Sequence, residues 1–156
     1  MRILFVCHGN ICRSPMAEFI FKDMLRKRGL LHRYTVASAA TSDEEIWNGV
    51  GNPIYPPAQR ELTRRGIPFE DRHATRLVRE DYAAYDLLVA MDERNLRNMH
   101  HMLGGDPEGK IFKLLSFAGE EGDVADPWYS DRFDLAFSDI YRGCEALLEE
   151  IESNEK

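Results

Sequence analysis

Apolar positions along the chain fall into two rhythms. Short apolar runs occupy Arg2 to Val6, Tyr34 to Ser38, Tyr85 to Met91 and Ile111 to Leu115, and runs of that length predict strands buried on both faces. Between them the spacing shifts to the helical period. Ala17, Ile20, Phe21, Met24 and Leu25 form one stripe that Gly29 closes, and Pro57 to Arg65 forms a second helix stopped by Gly66. Glu93 to Leu103 predicts a third helix, ended by Gly104-Gly105. Phe137, Ile140, Tyr141, Cys144, Leu147, Leu148 and Ile151 mark one continuous apolar face of a last helix. Two long stretches follow neither rhythm and read as loops: Ala39 to Pro57, and Ser116 to Tyr129.

Strands alternating with helices predict an α/β fold of three layers, a parallel sheet with helices on both faces. At 156 residues the chain has the length of a single domain, spanning 1–156. In such folds ligands bind beyond the carboxyl ends of the strands. The first strand ends at Cys7, which directs attention to the residues after it.

Those residues are Cys7-His8-Gly9-Asn10-Ile11-Cys12-Arg13-Ser14. A cysteine thiolate is a strong nucleophile, and an arginine six positions on offers a planar fork of donors matched to phosphate oxygens. The short or polar residues between them let backbone N–H groups turn inward around an anion. Ser14 is expected to cap the next helix, with Pro15 in its first turn, so that the positive end of the helix dipole lies beneath the bound group. Asn10 tolerates a left-handed backbone and can brace the loop through its amide. The alternative for Cys7 is a core cysteine at a strand end; Arg13 argues against it, because a charge drawn under the loop needs an anion.

Phosphate transfer also needs an acid for the departing oxygen, and Asp126 is the candidate. Pro127 biases it toward an extended backbone that projects the carboxyl group from its loop. Glu120, Glu121 and Asp123 are expected to help it keep a proton. The alternative is a solvated turn aspartate, a common use of Asp-Pro. The aromatic residues Trp47, Trp128 and Tyr129 suit a wall around a phenyl ring, with surface packing as the other reading of Trp47.

Composition narrows the field. Hydrophobic residues make up 44% and charged residues 30%, as in ordinary water-soluble globular chains. A net charge of −7 speaks against nucleic acid or an anionic membrane as partner. No apolar run approaches the ~20 residues that span a bilayer. The N-terminal run is wrongly flanked for a secretory signal, and an odd three cysteines suit a reducing, cytoplasmic setting. The cysteines and histidines lack the spacing of a zinc site, so no metal or other cofactor is expected.

The loop Cys7–Ser14, together with Ser38-Ala39-Ala40-Thr41, Met91-Asp92-Glu93-Arg94-Asn95 and Asp126-Pro127-Trp128-Tyr129, resembles the low-molecular-weight protein tyrosine phosphatases over nearly the whole chain. The resemblance implies a four-stranded parallel sheet flanked by helices. It also implies hydrolysis of phosphotyrosine monoesters, in proteins or small aryl phosphates, through a cysteinyl-phosphate intermediate. In it Cys7 is the nucleophile, Arg13 the phosphate clamp and Asp126 the general acid. His8, Gly9, Asn10, Ile11, Cys12, Arg13 and Ser14 hold the substrate, while Asn10, Ser14, Ser38 and His73 form a supporting polar network. Cys12 is implied as a redox partner that traps oxidised Cys7 as a disulfide.

Phosphate, sulfate and vanadate are the expected inhibiting anions, and a monomer or weak homodimer the expected state. Three other functions stay in view. An arsenate reductase of similar fold needs two further cysteines, and residues 76 to 95 contain none. A phosphoarginine phosphatase is expected to carry threonine where this loop has Ile11. A non-catalytic phosphate-binding or redox-sensing module has no use for Asp126 and its aromatic neighbours.

Overall fold

The computed structural model describes residues 1–154. Its centre is a parallel sheet of four strands, β1 (Arg2–Cys7), β2 (Thr35–Ala40), β5 (Leu87–Ala90) and β6 (Ile111–Lys113), in the spatial order β2-β1-β5-β6. Register runs Val6 against Ala39 on one side of β1 and Val6 against Ala90 on the other. The chain leaves β1 toward β2 and later returns to its opposite edge as β5. The crevice where this direction reverses is where α/β sheets bind ligands, and Cys7 and Asp92 both lie at its carboxyl end.

Alternation within each strand sorts the core into two halves. Ile3, Phe5 and Val89 pack with α1 (Arg13–Lys27) and α6 (Phe133–Asn154) on one face. Leu4, Val6, Leu88 and Ala90 pack with Met99 and Leu103 of α4 (Glu93–Leu103) on the other. The Phe5 and Phe21 rings meet edge to face at 5.7 Å, a favoured aromatic geometry. Asp92 caps α4: its carboxylate accepts the Asn95 N–H at 2.7 Å, while the Asn95 side chain accepts the Asp92 N–H at 3.2 Å. Among the described residues no helix is long and apolar enough to cross a membrane.

Several elements differ from the sequence reading. Ala39 to Pro57 is not all loop: β3 (Ile46–Trp47) and β4 (Val50–Gly51) form an antiparallel hairpin. Its turn is Asn48-Gly49, with φ of 51° and 78°, the left-handed pair that matches strand twist. The helix expected from Pro57 begins one residue earlier, as α2 (Pro56–Arg64). The short α3 (Asp81–Ala84) was not expected. The fourth strand stops at Lys113, and Leu114–Ala118 tightens into a 3-10 turn. Within the second loop, α5 (Pro127–Ser130) makes one helical turn. Tyr141 lies at the exposed edge of the last helix, where it stacks on Phe137 at 6.1 Å, and is not part of its buried face.

Candidate active site

β1 ends in a buried sulfur. Cys7 is 3% exposed, and its Sγ receives the N–H of Asn10 at 3.3 Å and the N–H of Ser14 at 3.4 Å. The loop turns that tightly because Asn10 takes a left-handed backbone at φ 57°, an uncommon conformation that asparagine tolerates better than most residues. Ser14 is not the helix cap expected from the sequence. Cys12 stands at the cap position and makes no side-chain cap bond, and the Ser14 hydroxyl turns back to lie 3.0 Å from Cys7 Sγ. The first turn of α1 therefore leaves the Ser14 N–H directed at the sulfur rather than satisfied by a capping side chain.

Arg13 is 4% exposed, in the same cavity. Its Nη1 donates to Asp92 Oδ2 at 2.7 Å and to the Val124 carbonyl at 3.3 Å, and Nη2 lies 3.5 Å from Asp126 Oδ2. Burial opposes the guanidinium charge, but Cys7, Asp92 and Asp126 outweigh it and hold the pKa above its usual value. A buried cation stripped of such partners costs several kcal/mol, about 3–5 for a broken buried pair. Asp92 thus fixes the fork from the far side of the sheet crevice.

Asp126 caps the N-terminus of α5, its Oδ1 accepting the Trp128 N–H at 3.1 Å and its Oδ2 turned toward Arg13. Two of the acidic neighbours expected to act on it, Asp123 and Glu120, have their carboxylates engaged elsewhere. Asp123 accepts from Lys113 and from the Glu93 N–H, Glu120 pairs with Arg142, and the Glu121 carbonyl accepts from Lys113.

Cys7, His8, Gly9, Ile11, Cys12, Arg13, Asp126, Trp128 and Tyr129 line one cavity of about 310 Å³. His8 Nε2 lies 2.9 Å from Glu44 Oε2 at its mouth. Cys7 and Cys12 are both free thiols. Burial, reinforced by the charge on Cys7 and opposed by Arg13, pushes the Cys12 thiol far up. Trp47 is absent from this lining; it stands 80% exposed on the hairpin. Tyr55 fills the aromatic place instead, its ring centred 6.0 Å from both Trp128 and Phe133. The Tyr55 N–H also donates to the Ile11 carbonyl at 2.8 Å. Its position just before Pro56-Pro57 was the only sequence signal for it.

Asn10, Ser14 and Ser38 form the expected network: Asn10 Nδ2 donates to Ser14 Oγ at 2.8 Å and to Ser38 Oγ at 2.9 Å. His73 is not in it. Its ring Nδ1 lies 2.8 Å from the Gly51 carbonyl, and that contact, opposed by slight burial and helped by Asp71, raises its pKa. The adjacent Arg72 points inward in its place and donates to the Ser38 hydroxyl at 3.1 Å and to the Ser38 carbonyl.

The family model for "low molecular weight phosphotyrosine protein phosphatase" matches residues 2–156. The chain belongs to that family. A phosphatase of this family from Bacillus subtilis, YfkJ, is 36% identical over 156 residues, covering 99% of this chain and 97% of its own. The YfkJ crystal structure superposes with a TM-score of 0.93, covering 100% of this chain and 97% of that chain at 35% identity. PtpA of Staphylococcus aureus, a low molecular weight protein-tyrosine-phosphatase, is 36% identical over 153 residues, covering 96% and 92%. An arginine phosphatase from Drosophila shares the architecture, with a TM-score of 0.84 at 29% identity and coverage of 97% and 98%. The four-stranded parallel sheet with helices around it is thus shared with solved structures of the family.

Proposed function

We propose that this phosphatase hydrolyses phosphotyrosine monoesters with Cys7 as nucleophile, Arg13 as phosphate clamp and Asp126 as proton donor and acceptor. The observation that carries the reading is the convergence of all three on one cavity, with Cys7 Sγ surrounded by hydrogen-bond donors.

In the first step Cys7 Sγ forms a bond to phosphorus as the bond to the phenol oxygen breaks, and Asp126 gives that oxygen a proton. Water then attacks phosphorus, the S–P bond breaks, and the water proton passes to Asp126. Charge spreads over the non-bridging oxygens in both transition states. Fixed N–H groups and the Arg13 fork meet it there without reorganising. Asp92 keeps that fork aimed while it exchanges its weaker contact with Asp126 for substrate.

The apolar Ile11 beside Trp128 and Tyr129 supports an aryl ring at the mouth. A p-nitrophenyl phosphate assay with and without vanadate tests for turnover. Phosphotyrosine, phosphoserine and phosphoarginine peptides compared side by side test the substrate class, and preference for phosphoarginine would overturn it. Cys7→Ser is expected to abolish turnover yet retain phosphate binding by calorimetry. Asp126→Ala is expected to slow poor leaving groups far more than good ones.

A further inference from the structure

The cavity mouth carries opposite charges on its two sides. β2 and β5 flank β1 in the sheet, so the segments that follow them stand on either side of the Cys7 loop. After β2 come Glu44 and Glu45, and after β5 comes Arg94; all three line the cavity that holds Cys7. The acidic side is fastened to the start of the loop, where the Ser42 N–H donates to the His8 carbonyl at 3.1 Å. The basic side is fastened to its end, through the contact of Asp92 with Arg13.

Each charge keeps capacity for a partner. Glu44 meets His8 through Oε2 alone, and Glu45 accepts from Asn52 Nδ2 at 2.8 Å, also through Oε2. Neither Oε1 has a donor among the described residues. Arg94 is exposed and makes no ion pair or hydrogen bond among the described residues. The adjacent Glu93 is drawn to Lys113 at 3.5 Å instead. Arg94 therefore holds no element of the fold in place, yet it stands on the lip of the substrate cavity.

Opposite signs on opposite sides discriminate by order rather than by net charge. A peptide whose flanking charges match the mouth gains two attractions, and the same peptide with those charges exchanged meets two repulsions.

We propose that Glu44, Glu45 and Arg94 are specificity-determining residues, selecting phosphotyrosine segments that carry a basic side chain on one flank and an acidic one on the other, in one order only. This assignment rests on the phosphotyrosine reading of the site.

Two phosphotyrosine peptides of identical composition test it. One carries Lys at the second position before the phosphotyrosine and Glu at the second after it, and the other has the two exchanged. Wild type is expected to favour one isomer in kcat/KM by about tenfold at low salt, from two exposed contacts of about threefold each. The difference should lie in KM, with kcat alike, and should shrink below about threefold near 0.5 M salt, where exposed charges are screened. In E44Q/E45Q/R94Q the two isomers should come within about twofold of each other, and in E44K/R94E the preference should invert. Comparing isomers on one enzyme cancels any change in the phosphate cradle itself.

Equal rates for the two isomers in wild type overturn the proposal, as does a preference that survives in the triple variant. Should that variant not fold, R94Q decides: the ratio should drop to about threefold, and an unchanged ratio overturns the proposal. If neither phosphotyrosine isomer is hydrolysed, the substrate reading falls, while the same pair built on phosphoarginine still judges the charged mouth by its ratio.

Discussion

The carboxylate of Asp139 on α6 accepts the backbone N–H of Ala125 at 3.0 Å, one residue before Asp126. Arg142 holds Asp139 from the other side at 3.1 Å and binds Glu120 as well, so the segment leading to Asp126 is tied to the last helix at two points. Removing this tie should loosen Asp126 without touching the loop around Cys7. We expect D139A to lower kcat about tenfold for phenyl phosphate and by less than about twofold for a dinitrophenyl ester, which leaves without a proton. Equal losses for both esters in steady-state assays would show that Asp139 does not act through Asp126.

The three cysteines should differ sharply in reactivity. Burial pushes the Cys144 thiol far up, and burial with the Cys7 charge does the same to Cys12. A raised pKa means that the neutral thiol persists through the neutral range, and thiols alkylate only as thiolates. Iodoacetamide at pH 7 is expected to label the Cys7 peptide alone, read by mass spectrometry. Labelling of Cys12 at a comparable rate would contradict this.

Gly143 offers a case where two effects compete. Replacing glycine by alanine inside a helix ordinarily stabilises by about 1 kcal/mol. A methyl group here would stand 2.5 Å from Leu114 Cγ, on a side chain that is itself wholly buried. Overpacking a filled core costs about 1–3 kcal/mol, so the clash wins. G143A should lower the urea midpoint, and a rise would show that Leu114 can move aside.

Stability at acid pH should depend on Asp106. Partial burial opposes its charge, but donation from Tyr82 and from the N–H groups of Lys110 and Ile111 outweighs this and holds its pKa below the usual range. A carboxylate depressed on folding stabilises fully above its unfolded value, about 3.9, and loses that contribution as pH falls through the folded value. D106N is therefore expected to unfold at lower urea than wild type at pH 7 and to show a flatter loss of stability below about pH 4. Parallel curves for the two proteins would remove Asp106 from the acid transition.

Elements whose identity depends on a continuous local pattern were legible from the sequence. β1 and β5 are unbroken apolar runs, and the stripe from Phe137 to Ile151 fits α6 except at Tyr141. The hairpin at Ile46–Gly51 was missed despite Asn48-Gly49, because each strand has only two residues and shows no alternation. The cysteine loop could be read because its residues are adjacent. The network behind it could not, because Arg72 and His73 are neighbours in sequence and only the packing of their segment against β2 decides which one turns inward. Asp92 was visible as part of a motif, yet its contact with Arg13 joins the ends of two strands, β1 and β5, that are distant in sequence, and leaves no local trace. Trp47 failed as a wall residue for a similar reason: an aromatic side chain in a loop carries no mark of the side it faces.

The N–H groups that meet Cys7 Sγ from Asn10 and Ser14 belong to the main chain, whereas the mouth of the cavity is built from side chains such as His8, Glu44 and Trp128. Point substitution can rewrite the second set freely but cannot delete the first. Enzymes built this way can trade customers over generations without rebuilding their engine. In the laboratory, the entrance rather than the floor is the place to redesign what the enzyme admits.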